Sequence, residues 1–149
     1  MKSLKVENIE TPLKNFHAVF KSDEDCLNLL ANLKWEKGYK CSKCANTNYC
    51  GGKQPYSRRC TRCKKEESAT ANTIFHRCKF PLVKAFEILL LACQAPAISS
   101  YKVSEYLEMR HMTCYNFKKK ILDCRENNKD SRFISKLILS INREMNSIK

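Results

Sequence analysis

Two cysteine pairs constrain this chain more than any other feature. Cys41-Ser42-Lys43-Cys44 and Cys60-Thr61-Arg62-Cys63 stand fifteen residues apart. That is the C-x₂-C-x₁₅₋₂₀-C-x₂-C spacing of a four-thiolate zinc site. Each pair curls its backbone into a knuckle with two sulfurs facing one ion, and the intervening residues suffice for a β-hairpin that joins the knuckles. Zn²⁺ accepts a closed tetrahedron of thiolates. Such a site leaves no position for water, so one structural zinc on Cys41, Cys44, Cys60 and Cys63 is expected. Chance pairs or redox pairs are the competing reading.

The chain has 149 residues and ten cysteines. No apolar leader precedes them and no stretch is apolar enough to span a bilayer. A reducing cytosol, with no membrane contact, is therefore the expected compartment, nucleoid-associated in a bacterium. Four cysteines would lie on metal and six would be free, with Cys26 and Cys93 in apolar runs as small core residues. The formal charge is +13, and four thiolates around one Zn²⁺ lower it by two. The excess is uneven: residues 37–65 hold nine Lys and Arg and no Asp or Glu. A basic run is often only a solvated face. Concentrated on a zinc module, it favours a polyanion partner, most commonly nucleic acid.

Hydrophobic periodicity organises the rest. Leu13, Phe16 and Phe20 give a short helix. Ser22 and Asp23 offer caps for a second, with Cys26, Leu27, Leu29, Leu30 and Leu33 on its apolar side. Gly51-Gly52 and Pro55 mark the turn of the hairpin, and Tyr49 and Tyr56 flank it. Pro81 fits the first turn of a third helix carrying Leu82, Phe86, Leu89, Leu90 and Cys93, a core helix that Pro96 stops.

Beyond Ile98 the pattern becomes two short helices. Ser99 caps one, with Val103, Tyr106 and Leu107 on it. A break over 108–112 follows, and Thr113 caps the second, which carries Tyr115, Phe117, Ile121 and Leu122 beside Lys118, Lys119 and Lys120. This reads as a helix-turn-helix, a pattern many helical pairs share. Residues 125–130 read as a polar linker. Phe133, Ile134, Leu137, Ile138, Ile141, Met145 and Ile148 trace one face of a last helix, which either completes the core or contacts another copy or another protein.

The fold class is thus α+β and mostly helical, with a small antiparallel ribbon inserted between helices and followed by a helix-turn-helix. The segments are N-terminal helices over 1–34, a zinc ribbon over 35–73, a helical region over 79–124 and a C-terminal helix over 131–149.

The order of motifs resembles the N-terminal region of bacterial insertion-sequence transposases of the zinc-ribbon type, relatives of Merlin elements. The resemblance runs from about Phe16 to Leu122. It rests on Phe16, Phe20 and Asp23-Glu24-Asp25-Cys26, then on Trp35-Glu36-Lys37-Gly38-Tyr39-Lys40 leading into the first knuckle. Tyr56-Ser57-Arg58-Arg59 before the second, Ser68 and Thr70-Ala71-Asn72-Thr73-Ile74-Phe75-His76 after it, Phe80-Pro81-Leu82, Ile98-Ser99-Ser100 and Thr113 onward complete it. The chain departs from the family at Ser42 (often Pro), Ala45 (often Gly) and Asn72 (usually Gly). In the family a nuclease-like domain with acidic metal ligands follows the helix-turn-helix. Here 27 residues follow Leu122, and Asp123, Glu126, Asp130 and Glu144 are scattered along them. None is carried over as catalytic, since two-metal chemistry needs carboxylates on a rigid scaffold.

The resemblance implies a zinc-dependent protein that binds double-stranded DNA without transposase catalysis, and so not an enzyme: a relic, a transcriptional regulator or an accessory factor. Phosphate contacts are expected from Arg58, Arg59, Arg62, Lys64 and Lys65 and from Lys118, Lys119 and Lys120. Tyr115 and Asn116 are the candidate base readers, because Asn pairs with adenine through two hydrogen bonds. Two other classes stay open. A zinc-ribbon interaction adaptor predicts an exposed apolar stripe on the last helix. An RNA-binding protein predicts Tyr39, Tyr49 and Tyr56 stacking on bases. His76 and Cys78, close together after the ribbon, read as structural rather than as a second metal site.

Overall fold

The computed structural model describes residues 15–71, 73–95, 97–126 and 128–146, with backbone alone at 128–130. Leu13, Asn72, Pro96, Asp130 and Ile148, used in the sequence reading, lie outside the residues or side chains described. In chain order the elements are α1 (Phe16–Val19), α2 (Asp23–Lys34), β1 (Tyr49–Gly51), β2 (Arg58–Cys60), β3 (Glu66–Glu67), α3 (Leu82–Gln94), α4 (Ser100–Leu107), α5 (His111–Glu126) and α6 (Asn128–Asn146). The expected class, mostly helical with a small antiparallel sheet in the ribbon, is the observed one.

The sequence LVKAFEILLLACQ is apolar around most of its circumference, and α3 is accordingly buried at every position from 85 to 92. A helix apolar on all sides needs neighbours on all sides. α2, α4 and α5 pack on α3, and α6 packs on α1, α2 and α5. The core runs from Phe16 and Phe20 through Leu30, Phe75 and Phe86 to Ile121, Leu137 and Ile141. Helices before and after the ribbon therefore share one core. Cys26 is fully buried in it, while Cys93 is half-buried at its edge.

Helix ends follow local chemistry. Asp25 reaches back to accept the N–H groups of Lys21 (2.9 Å) and Ser22 (3.3 Å), and three acidic residues complement the dipole in the first turn of α2. Pro81 stands at the N-cap of α3, one position outside the helix rather than in its first turn, and offers no side-chain cap. Asp23 supplies it from α2, its Oδ1 accepting the Val83 N–H at 3.2 Å. Ser99 caps α4 as expected, accepting the Lys102 N–H at 3.2 Å.

Two boundaries differ from the sequence reading. The break between α4 and α5 covers 108–110, not 108–112, and Thr113 lies inside α5. The turn is made by Glu108, whose φ of 54° is left-handed, with Met109 donating its N–H to Ser104 at 3.0 Å. That closure satisfies the last carbonyls and lets the next helix start at once. The expected linker over 125–130 is helical on both sides: α5 continues to Glu126 and α6 begins at Asn128. Burial of Ile121 on one side and Ile134 and Leu137 on the other outweighs the weak helix propensity of the Asn-rich run.

The last helix completes the core. Ile134, Leu137, Ile141 and Met145 are buried, with Phe133 and Ile138 packed against them. The exposed apolar stripe that an adaptor would present is absent from the described part of α6, where Leu139 is the large apolar side chain left in solvent.

Candidate metal centre and basic surfaces

The two knuckles are copies of one backbone pattern. In the first, Cys41 N–H donates to Asn46 O (2.8 Å) and Ala45 N–H to Cys41 O (2.9 Å). In the second, Cys60 N–H donates to Lys65 O (2.9 Å) and Lys64 N–H to Cys60 O (3.1 Å). The equivalent residues Ala45 and Lys64 take φ values of 62° and 67°, a left-handed conformation in which a side chain is strained. The leading sulfur of each pair accepts two amides at 3.3–3.5 Å: Lys43 and Cys44 on Cys41, Arg62 and Cys63 on Cys60.

Cys41 Sγ lies 3.5 Å from Cys63 Sγ, and Cys44 Sγ 3.5 Å from Cys60 Sγ. All four sulfurs fall within 4.8 Å of one another. Tetrahedral Zn–S bonds of about 2.3 Å give sulfur separations of about 3.8 Å, whereas a disulfide needs about 2.05 Å. The set fits one zinc ion. Asn46, to which the sequence reading gave no role, stitches the knuckles together. Its Nδ2 donates to Cys60 Sγ (3.4 Å), Thr61 Oγ1 (3.1 Å) and Asn48 O (3.1 Å).

These bonds prepare the sulfurs for a cation. Burial opposes ionisation of Cys60, but the Cys63 amide, the Asn46 side chain and the Arg62 amide outweigh it and hold the thiol down to about 5. The Cys44 and Lys43 amides likewise lower Cys41 against the opposing effect of burial. Cys44 is pushed up to about 11: the Asn46 amide favours its thiolate, but burial and the facing sulfurs of Cys60, Cys41 and Cys63 prevail. Four sulfurs this close cannot all be anionic without a metal; Zn²⁺ removes the conflict.

β1, β2 and β3 form an antiparallel sheet in that order, with Tyr49 opposite Cys60 and Arg59 opposite Glu66. The third strand, two residues long, was not anticipated, and both of its residues are structural. Glu66 Oε2 accepts from Lys53 N–H (3.0 Å) and Ser57 Oγ (3.2 Å), closing the hairpin turn. A Cβ on Gly52 would sit 2.3 Å from Ser57 Oγ and 2.5 Å from the Glu66 carboxyl carbon, so a side chain there would displace the Ser57 and Glu66 groups that close the turn. Glu67 pairs with Lys34 of α2 at 2.6 Å, and Lys34 also donates to Ser68 O and Ala71 O. The ribbon is thereby fastened to α2.

The residues expected to contact DNA differ in their surroundings. Arg58 is engaged within the fold: its guanidinium lies 4.5 Å from the Trp35 ring centroid and 4.2 Å from that of Tyr49. Lys118 is half-buried and donates to Ile98 O, and burial lowers its pKa. Both side chains are thus engaged within the fold. Arg59, Arg62, Lys64 and Lys65 are exposed on the ribbon, and Tyr115, Asn116, Lys119 and Lys120 on α5. The side-chain ammonium of Lys64 donates to Thr61 O and that of Lys65 to Ser42 Oγ at the ribbon surface. Of the tyrosines, Tyr39 is buried against Trp35 and Tyr49, while Tyr56 is exposed in the hairpin turn.

Among the described residues, the four cysteines form the one cluster of His, Cys, Asp or Glu able to hold a metal; His76 and Cys78 do not join another. No described helix is long and apolar enough to cross a membrane. Residues 21–66, from the entry of α2 to the first residue of β3, match the transposase zinc-ribbon domain family. No curated protein and no solved structure matches the chain. This region is thus similar to a transposase zinc ribbon, and its four cysteines form a site that fits one structural zinc.

Proposed function

We propose that this chain is a zinc-dependent DNA-binding protein. It reads duplex DNA with the second helix of a helix-turn-helix formed by α4, the turn over 108–110 and α5. In this it resembles the DNA-recognition part of Merlin-related insertion-sequence transposases, and it acts as a regulator or accessory factor without cutting DNA. The observation that carries the reading is the pairing, in one fold, of a transposase-type ribbon with two helices joined by a tight turn. Tyr115, Asn116 and Lys119 stand on the solvent side of α5 while Cys114, Phe117 and Ile121 are buried. A recognition helix needs that division between a docked face and a reading face.

Arg59, Arg62, Lys64 and Lys65 supply the ribbon's phosphate contacts, with Lys119 and Lys120 on α5. Selection of bound fragments from random duplex DNA tests the reading. An enriched sequence whose preference changes in Asn116→Ala supports it. Affinity no better than that of an unrelated protein of equal charge overturns it. Strand cleavage with Mg²⁺ or Mn²⁺ that is lost on changing one of the chain's own carboxylates would refute the non-catalytic part.

A further inference from the structure

A cleft of about 310 Å³ separates the segment leaving the ribbon, residues 74–80, from the first turns of α5. Part of its lining is apolar: Ile74, Phe80 and Phe117, with Phe80 meeting Phe117 edge-on at 5.2 Å between ring centroids. Its walls carry Arg77 and Lys79 on one side and Thr113, Asn116 and Lys120 on the other. These three cations face no carboxylate among the lining residues. A second groove continues from it, sharing Asn116 and Lys120 and adding Lys119 and Asp123.

The ribbon-side wall is held in place. Phe75 is buried against Phe86 and Phe117. His76 N–H donates to Thr73 O and Cys78 N–H to Phe75 O, at 3.1 and 3.2 Å. Between them Arg77 adopts a φ of 56°, a left-handed conformation rare for a side-chain-bearing residue. Local turn chemistry favours glycine there. The chain instead keeps an arginine, at a cost in backbone strain, in the wall of a basic cleft.

We infer that this cleft seats the phosphodiester backbone of DNA, with Arg77, Lys79 and Lys120 as the neutralising cations. The inference rests on the DNA-binding reading and adds two residues, Arg77 and Lys79, to which sequence analysis gave no role. The chemistry is that of a backbone contact: cations and neutral donors to hold phosphate oxygens, beside apolar side chains that a sugar can pack on. The continuation into a second groove matches a polymer better than a single small anion. Because Asn116 borders both grooves, a phosphate held here fixes how far α5 turns toward the base edges.

The test compares the full zinc-loaded chain with Arg77→Gln/Lys79→Gln by anisotropy titration of fluorescent duplexes across a range of salt. The expected result is a roughly tenfold weaker affinity at low salt, uniform across sequences. The slope of log K against log salt should flatten by about 1 for each phosphate that is no longer neutralised. Arg77→Gly/Lys79→Gln, in which glycine accepts the left-handed backbone, should show the same weakening with a melting temperature no lower than that of the wild type. If the wild type binds and either variant keeps its affinity and slope, the cleft assignment is wrong and the DNA-binding reading stands. If the wild type shows no salt-dependent binding, both fall. Amide resonances of residues 76–79 should shift on adding duplex. Shifts caused by inorganic phosphate but not by duplex would make this a small-anion site and overturn the proposal.

Discussion

The ribbon and the helical body are held together by different physics. The helical body buries Phe86, Leu89, Leu90, Ile121, Leu137 and Ile141 essentially completely. In the ribbon β1 is wholly exposed, and the buried residues nearest the knuckles are Cys41, Cys60, Ser57, Tyr39 and Trp35. A segment so small cannot offset its conformational entropy by apolar burial; four sulfurs on one ion must do so. The helices bury their apolar faces mainly on one another. One half of the chain should therefore answer to chelators and acid, and the other to changes in core volume.

Zinc removal gives the largest separation. Structural zinc contributes roughly 10–16 kcal/mol of apparent binding free energy at neutral pH. Cys60→Ser, or a strong chelator, should unfold the ribbon while most helical circular dichroism persists. Purified, reduced protein should contain one zinc per chain by metal analysis. Acid should release it, because protons compete for the thiolates that the metal needs. Cooperative loss of all helical signal on zinc removal would break the comparison; metal analysis finding no zinc would refute the site.

Next comes Phe86→Ala, which empties a fully buried site on α3 between Phe20 and Phe75. A loss of about 3–5 kcal/mol is expected in denaturant titrations. Zinc per folded molecule should stay at one. A ribbon that releases zinc in this variant would show that the two regions are energetically one.

Glu87 offers a smaller, pH-dependent test within the helical body. Burial pushes its carboxyl up to about 7, against the opposing pull of Lys84, and its Oε2 lacks a hydrogen bond, with His17 Nε2 3.4 Å away. A raised carboxyl pKa means that the folded state binds more protons than the unfolded one. Stability is then fully present below about 4.5 and declines as pH rises to about 7. Glu87→Gln should remove that slope and gain roughly 2–3 kcal/mol above neutrality. Melting temperatures from pH 4 to 8 that run parallel for the two proteins would exclude it.

The smallest effect belongs to the ribbon. Ala45→Gly relaxes a left-handed backbone beside Cys44 and should favour the folded knuckle by about 1 kcal/mol. The gain should appear in chelator competition for zinc, with little change in the stability of the helices.

Much of this was readable from residue types and spacing. The four ligands, the core character of 82–93 and the cap at Ser99 needed only rules that operate within a few residues. Ala45 also stood out as a departure from glycine, and its positive φ gives that departure a physical meaning. The boundaries around 108–112 and 125–130 were misplaced because turn and linker signals there are weak, and packing of α5 against α4 and α6 decides them.

What sequence alone determined was local: ligand spacing, hydrophobic period and a strong positive charge. Tertiary structure decided which charges are available to a partner. Arg58 and Arg59 are neighbours with equal charge, yet strand alternation places Arg58 between Trp35 and Tyr49 and leaves Arg59 in solvent. Lys118 turns inward to a carbonyl of the segment before α4, while Lys119 and Lys120 face out. Asp23 caps a helix sixty residues away, and Arg77 and Lys120 line one cleft built from distant segments. Coulombic attraction and hydrogen bonding depend on distance in space, and only the folded chain sets those distances.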